Sequence, residues 1–372
     1  MTTATHDERR LRPVGAAGAA GAAAGAAWAP GRDDRAVALW LLICCAMIFA
    51  MAVIGAVTRL TESGLSIMEW APIGGALPPL SEAEWRRVFA LYQQIPEYQE
   101  LNRGMSLEEF RSIFWLEYVH RLWGRLIGVV FLVPLVWFWL KRRLRPGLTR
   151  QLWGIFALGA LQGLMGWYMV ASGFAERTDV SQYRLVAHLL LACAIYVYTL
   201  MIALRLLAPV EASDAAGGPA RLRLGLIGLT LLLVVTIASG GFVAGLNAGF
   251  IYNSFPLMDG HLVPADYGAL RPWIANLFEN VAAVQFNHRV LAIATLAAAL
   301  VLWAVARTIP MTAVARRMMA LLAAVAALQV ALGISALLLV VPVWLGALHQ
   351  AGALTLLTVA ICALHALRRT DP

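Results

Sequence analysis

The sequence predicts an all-α polytopic membrane protein with eight transmembrane helices. Three observations lead to this fold class: 61% of the 372 residues are hydrophobic, 13% are charged, and the mean hydropathy is +0.73. A soluble core of this length needs far less apolar surface. A hydrocarbon layer about 30 Å thick is crossed by roughly 20 helical residues, and uncharged runs of that length recur along the chain.

The eight uncharged runs are the predicted spans. The last two come from one continuous run, residues 318 to 367, which is too long for a single span and is divided by Pro342. The predicted spans are residues 36 to 58, 118 to 140, 151 to 172, 185 to 204, 224 to 245, 286 to 306, 318 to 340 and 345 to 367.

The positions of Lys and Arg predict the orientation. They precede the first span and then occupy every alternate connection, so both termini are predicted to be cytoplasmic, in a bacterial inner membrane. The other connections, chiefly residues 59 to 117 and 246 to 285, carry Pro, Gly and acidic residues and are predicted to face outward. This bias explains the formal charge of +8, so the charge implies no nucleic-acid partner.

Residues outside the spans are assigned by composition. Residues 1 to 35 contain an Ala/Gly-rich stretch and are predicted to be a disordered cytoplasmic tail; residues 209 to 223 are a predicted cytoplasmic linker and 368 to 372 a second tail. All four cysteines lie inside predicted spans, which indicates core packing and not a disulfide or metal set.

The second half of the chain repeats the first. LEYVHR at 116 to 121 aligns with VQFNHR at 284 to 289, ALQGLMG at 160 to 166 with ALQVALG at 327 to 333, and GAVTRL at 55 to 60, more weakly, with GFVAGL at 241 to 246. Each half has four spans, so both enter the membrane from the same side. The prediction is two tandem four-helix bundles, residues 36 to 208 and 224 to 367, related by a pseudo-twofold axis along the membrane normal.

Four histidines, two per half, are predicted to lie at one depth near the outer membrane edge. This depth follows from counting back about 20 residues from the cytoplasmic basic residue after each span. A single histidine in an apolar helix is usually a packed core residue, but polar groups matched in depth and repeat tend to mark function. Two histidines per bundle suit the two axial positions of a haem iron, whereas zinc would need four ligands at one point. They are His120, His188, His288 and His349.

Neighbouring residues fit a flat macrocycle between helices. Arg121 and Arg289 directly follow a histidine and are predicted to pair with haem carboxylates, although arginines at this depth also extend to lipid headgroups. Small residues one helical turn after each histidine would leave room for the ring. These small residues are Gly124, Ala192, Ala292 and Ala353.

The two halves differ at one polar position. Glu117 precedes His120 by three residues, and Gln285 stands at the same place before His288. A carboxylate can accept a proton or stabilise a developing cation, and a carboxamide does neither well. The first half is therefore predicted to be the reacting site, and the second to hold a haem for electron transfer. In the alternative, Glu117 is only an acid at a helix N-terminus, favoured by the helix dipole.

These motifs together resemble the haem A synthase family. The resemblance rests on GAVTRLTESGLSIMEWAPIGGALPP at 55 to 79, EYVHR at 117 to 121, FNHR at 286 to 289 and LHQ at 348 to 350, and it covers roughly residues 36 to 367. Some bacterial members of this family carry a cysteine pair in the first outer loop. Residues 59 to 117 contain no cysteine, which points to the proteobacterial and mitochondrial branch and leaves the route of the electrons open.

The resemblance implies an enzyme that oxidises a ring methyl of haem O to a formyl group, through hydroxylated intermediates, to give haem A for cytochrome oxidase. It assigns Glu117, His120 and His188 to the substrate haem, and His288 and His349 to a bound haem b. The implied partners are haem O, a handover from haem O synthase, an unidentified electron acceptor and the lipid membrane. A homo-oligomer stays open.

Two other functions are compatible with paired histidines. The first is a di-haem b-type cytochrome that passes electrons from quinol, for which an unequal carboxylate such as Glu117 would have no purpose. The second is a transporter or haem carrier, which is disfavoured because no predicted span is interrupted at its middle.

The topology can be tested with reporter fusions. A reporter fused after residue 145 should be active on the cytoplasmic side, and one after residue 265 on the periplasmic side, because basic residues flank the first junction. The reverse pattern of reporter activity would contradict both the orientation and the predicted depth of the histidines.

Overall fold

The computed structural model describes residues 32–71, 74–174, 178–208 and 218–367. Nine α-helices occupy this part of the chain, and eight of them are long and apolar enough to cross a membrane. The predicted fold class is thereby confirmed. The helices are α1 (Arg32–Leu60), α2 (Glu82–Tyr92), α3 (Leu107–Leu140), α4 (Leu148–Val170), α5 (Gln182–Leu207), α6 (Gly218–Gly245), α7 (Val281–Ala306), α8 (Ala313–Leu338) and α9 (Val343–Ala366).

Every predicted span corresponds to one helix, and most helix ends lie within a few residues of the prediction. The division at Pro342 is confirmed, because α8 ends at Leu338 and Pro342 is the N-cap of α9. α1 begins at Arg32, four residues before the predicted span, since Asp33 and Asp34 occupy its first turn. Most of the predicted tails and the first part of the predicted linker lie outside the described residues, while residues 218 to 223 belong to α6.

The start of α3 differs most from the prediction. It begins at Leu107 and not near residue 118, because Ser106 and Glu109 form a reciprocal capping box there. Its first turns precede the predicted span, and they bury Phe110 and Phe114 against residues of the preceding loop. Glu117 therefore lies ten residues inside a continuous helix, so the alternative of an acid at a helix N-terminus is wrong.

The two halves have the same pattern of neighbours. In the first half α1 contacts α3 and α5, and α4 completes the ring by contacting the same two helices. In the second half α6 and α8 both contact α7 and α9 in the same way. This match supports the predicted pair of four-helix bundles, in which α1, α3, α4 and α5 correspond to α6, α7, α8 and α9.

The halves meet closely where α5 crosses α6. A Cβ added to Gly241 would lie 2.9 Å from Cγ2 of Val186, and one added to Gly245 would lie 2.6 Å from Cβ of Gln182. Only glycine allows so close an approach of two helix backbones. Since α5 carries His188 and α6 packs against α7, which carries His288, this contact brings the two halves together at the depth of the histidines.

Of the four cysteines predicted to pack in the core, Cys44, Cys45 and Cys193 are buried and Cys362 is partly buried. All four are free thiols inside helices, as the sequence predicts. Cys45 and Cys193 belong to the largest apolar cluster, which includes residues of both halves. Their role is therefore packing.

The first outer loop folds into a cap that the sequence did not predict. α2 and the start of α3 enclose a cluster of aromatic residues, among them Trp85 and Tyr92. Glu97 is buried against this cluster with 4% of its surface exposed, and accepts a hydrogen bond from the Tyr92 hydroxyl at 2.9 Å. Burial raises the pKa of Glu97 to about 8.

The pH dependence of unfolding should report this carboxyl. Its folded-state pKa lies above the ordinary value of 4.5, so its contribution to stability is complete below pH 4.5 and is lost as the pH rises to about 8. Glu97→Gln should remove this part of the pH dependence and raise the unfolding temperature at pH 8 by a few degrees. Fluorescence of tryptophans such as Trp85 measures it; an unchanged pH profile in the variant would contradict the assignment.

Candidate haem sites

The four predicted histidines lie on corresponding helices of the two halves. His120 and His188 are on α3 and α5, and His288 and His349 are on α7 and α9. Each of the four rings packs against a glycine on a neighbouring helix. The pairs are His120 with Gly55 of α1, His188 with Gly166 of α4, His288 with Gly240 of α6, and His349 with Gly333 of α8.

The missing Cβ atoms leave the space that the rings occupy. A Cβ at Gly333 would lie 2.8 Å from Cε1 of His349, and one at Gly166 would lie 3.1 Å from Cε1 of His188. The first distance is shorter than two carbon atoms tolerate, so even alanine would displace His349. These glycines were not predicted as site residues, although Gly166 and Gly333 end the aligned ALQGLMG and ALQVALG motifs.

The second-half pair has the separation that two axial ligands need. The ring centroids of His288 and His349 are 6.4 Å apart and the ring planes are perpendicular. Two metal–nitrogen bonds of about 2 Å, added to two ring radii of about 1.1 Å, give about 6 Å. The separation of the two rings is therefore close to that of two imidazoles on either side of one iron atom. Two imidazoles are also a ligand set that haem iron takes.

A glutamine accompanies the second histidine of each half. Gln162 donates from Nε2 to the backbone oxygen of His188 at 3.0 Å, and Gln329 donates to that of His349 at 2.9 Å. Both glutamines belong to the repeated Ala-Leu-Gln motif, which is the signal that could have identified them. Their Oε1 atoms are buried and have no hydrogen-bond partner among the described residues.

The two glutamines face different nitrogens of the histidine rings. Nε2 of Gln329 is 3.2 Å from Nδ1 of His349, whereas Nε2 of Gln162 is 3.3 Å from Nε2 of His188. Nδ1 of His188 is buried without a partner among the residues that the structure describes. The second-half ring thus keeps Nε2 away from its glutamine, and the first-half ring does not.

Glu117 is buried and anchors the first outer loop. Its Oε2 accepts hydrogen bonds from the Ser66 hydroxyl at 2.7 Å and from the Ile67 amide at 2.8 Å, and its Oε1 is 2.7 Å from Nη2 of Arg121. Arg121 donates in turn to the carbonyl oxygens of Ile67 and Glu69. The carboxylate and the guanidinium together attach the loop to α3, one turn from His120.

Gln285 anchors the corresponding loop of the second half, but it donates hydrogen bonds to the loop where Glu117 accepts them. Its amide nitrogen donates to the carbonyl oxygens of Ala248 and Ile251, and its Oε1 accepts from Arg289 at 2.9 Å. Arg289 also donates to the carbonyl oxygens of Tyr252 and Ser254. The Glu/Gln difference therefore follows at least in part from the loops, since one presents donors and the other presents acceptors.

The arginines are less available to haem carboxylates than the sequence suggested. Both guanidinium groups are largely occupied by loop carbonyls. Nε of Arg121 is bonded to Glu117 at 2.9 Å, whereas Nε of Arg289 is buried and has no hydrogen-bond partner within the described chain. Pairing with a haem carboxylate stays a prediction for both, and Arg289 is the one with an unused buried donor.

The small residues predicted one turn after the histidines have a less direct role. A Cβ at Gly124 would lie 3.3 Å from the Met51 methyl group, so this glycine admits a side chain of α1. The space beside the imidazoles comes instead from glycines on neighbouring helices. Such contacts depend on tertiary packing and cannot be read from the spacing within one helix.

Comparison with known proteins gives one consistent result. Residues 38–361 match the model of a family described as "Cytochrome oxidase assembly protein". The chain is 50% identical over 336 residues to the "Heme A synthase" of Nitrosospira multiformis, covering 90% of this chain and 94% of that protein. It is 55% identical over 335 residues to the "Heme A synthase" of Rhodospirillum centenum, covering 90% and 89%. It is 49% identical to the "Heme A synthase" of Paramagnetospirillum magneticum, and the match covers 91% of this chain and 97% of that protein.

Proposed function

The chain belongs to the cytochrome oxidase assembly family, and from this membership we propose that it is a haem A synthase. It is an oxidoreductase that converts haem O to haem A by oxidising a ring methyl to a formyl group. With water as the oxygen source, the balance is R–CH3 + H2O → R–CHO + 4 H⁺ + 4 e⁻. The reaction therefore needs an outlet for electrons and for protons.

One observation carries the assignment of roles to the two halves: the same fold presents two pairs of histidines in unequal surroundings. The substrate haem O is assigned to His120 and His188, in the half that has the buried carboxylate. A resident haem b is assigned to His288 and His349, whose rings stand 6.4 Å apart. When bound there, haem b supplies a one-electron carrier beside the substrate half.

Glu117 acts on the substrate as the negative end of a fixed ion pair with Arg121. Its ion pair with Arg121 and its two loop donors keep it in place, and only 3% of its surface is exposed. A preoriented charge in a site of low polarity stabilises positive charge that develops as a methyl carbon loses electrons. Because its oxygens already accept hydrogen bonds, this electrostatic role fits the geometry better than transfer of a proton does.

The outer loop excludes water from the same site. Ser66 and Ile67 are fixed to Glu117, and the Trp70 ring lies 6.1 Å from the ring of Trp167 on α4, so the loop reaches from α3 to α4. A covered site strengthens the field of the carboxylate and limits side reactions of the hydroxylated intermediates.

The proposed function also implies a cellular location for the protein. The protein is a multi-pass membrane protein. We place it in the bacterial inner membrane with both termini in the cytoplasm and the histidines toward the periplasm, where haem O arrives from haem O synthase and electrons leave to a separate acceptor. The di-haem relay between quinol and another carrier has no support in the comparisons.

The ligand assignment predicts the spectrum of two variants. His288→Ala or His349→Ala should remove the low-spin haem b signal of the purified protein, because one of two axial ligands is lost. Optical and paramagnetic resonance spectra measure this signal. A complete bis-histidine spectrum in both variants would show that the second half does not hold haem b through these residues.

The role of Glu117 can be separated from its loop anchor with three variants. Glu117→Gln removes the charge and also places a donor beside the Ile67 amide; haem A formation should slow about 10²- to 10³-fold while haem b remains. Ser66→Ala removes a loop contact and keeps the charge, so its haem A yield should fall much less. Gln285→Glu is the matched control in the second half and should leave haem b bound.

Chromatography of extracted pigments measures haem O, the alcohol intermediate and haem A in each variant. Equal losses in Glu117→Gln and Ser66→Ala would assign Glu117 to loop anchoring alone. Wild-type yield in Glu117→Gln would remove it from the reaction altogether.

A further inference from the structure

Ser239 determines how the ring of His288 is presented. Its Oγ lies 2.7 Å from the backbone oxygen of Thr236 and 2.8 Å from Nδ1 of His288. A carbonyl oxygen can only accept, so the single hydroxyl hydrogen goes to Thr236 and the hydroxyl oxygen accepts the hydrogen on Nδ1. The lone pair of this imidazole is then on Nε2, which is the nitrogen that a metal ion would bind.

Gly240 leaves space for the His288 ring to lie close enough to α6 for this hydrogen bond to form. A Cβ there would lie 3.1 Å from Cε1 and 3.6 Å from Nδ1 of His288. A β-branched side chain at this position would push the ring away from α6 and out of reach of Ser239. The pair Ser239-Gly240 thus fixes both the tautomer and the orientation of the ring.

The first half has the glycine but lacks the hydroxyl group. Gly55 packs against His120 as Gly240 packs against His288, so Ile54, one residue before that glycine, stands where Ser239 stands in the second half. Isoleucine has no hydroxyl group and cannot accept a hydrogen bond from an imidazole. The atom of the His120 ring closest to a Cβ added at Gly55 is Nε2, at 3.3 Å. Its potential iron-binding nitrogen therefore faces α1.

We infer that the Ser239 hydroxyl makes the second-half histidine a permanent haem ligand, and that Ile54, which has no hydroxyl, leaves the first-half histidine able to release its haem. This inference rests on the proposed function, in which one haem stays and the other enters as haem O and leaves as haem A. A hydrogen bond to the second ring nitrogen typically strengthens metal binding about 10- to 100-fold. Two otherwise similar bundles can then differ in how long each retains its haem.

The test compares Ser239→Val with Ser239→Thr in the full-length protein. Valine removes the hydroxyl, which Ile54 also lacks, and threonine keeps it. Excess apomyoglobin, which captures released haem, measures the loss of haem b, and a redox titration measures its midpoint potential. Ser239→Val should lose haem b about 10- to 100-fold faster than wild type and shift the potential upward, because the ligand becomes less basic. Ser239→Thr should stay close to wild type in both.

The reciprocal change tests the same inference without weakening the second half. Ile54→Ser supplies a hydroxyl at the position that corresponds to Ser239 and should slow the transfer of the first-half haem to apomyoglobin, so that more haem O and haem A remain with the purified protein. This second measurement tests the inference even if Ser239→Val does not fold. Release at the wild-type rate from Ile54→Ser, or an unchanged release rate and potential in folded Ser239→Val, would overturn the inference.

His288→Ala separates this inference from the proposed function. Loss of haem b in His288→Ala together with no effect of Ser239→Val would reject only the role of Ser239. Retention of haem b in His288→Ala would reject the ligand assignment itself, on which the role of Ser239 depends.

Discussion

The contact between each histidine and a glycine of the neighbouring helix is the constraint on which the rest of the structure depends. In a membrane the imidazole must be held by protein, since no water satisfies it there. A glycine at the contact lets the ring lie against a helix backbone, with its plane set by the packing. Four such contacts, on corresponding helices of two similar bundles, place four imidazoles in two pairs. The bundles then need to differ only in the few residues that touch these rings.

The first outer loops of the two halves are also attached in equivalent ways. Each half ties its first outer loop to the helix of its first histidine through an arginine and a residue four positions earlier, Glu117 in one half and Gln285 in the other. The glutamine satisfies carbonyl groups and the glutamate satisfies an amide and a hydroxyl. The charge beside His120 therefore goes together with the hydrogen bonds that the loop presents, donors in the first half and acceptors in the second. The loop structure and the chemistry of each half are coupled through this one side chain.

Hydropathy sufficed to predict the eight spans, because a bilayer imposes length and composition directly on the sequence, and Pro342 predicted the division between the last two. The four histidines lie on corresponding helices, as the repeat indicated, and their role as ligands stays a prediction. Hydropathy did not predict the features that depend on side-chain packing between elements. The outer turns of α3 are stabilised by the capping box at Ser106 and by burial of Phe110, and neither contributes to a long apolar run. Glycine partners such as Gly240 lie on a different helix from the histidine. Gln162 could have been predicted as a site residue, because it belongs to the repeated Ala-Leu-Gln motif. Its effect on His188 depends on which ring nitrogen it faces, and the sequence does not give this.

The central claim is that one fold holds a resident haem in one half and a reacting haem in the other. Mass spectrometry of pigments extracted from the purified wild-type protein tests it most directly. The account predicts haem b together with haem O, its hydroxylated intermediates or haem A, and the sum of these three does not exceed the amount of haem b, because the first half holds one haem and releases it. Two equivalents of haem b per chain, with none of the other pigments, would contradict it and indicate a relay of electrons between two identical haems.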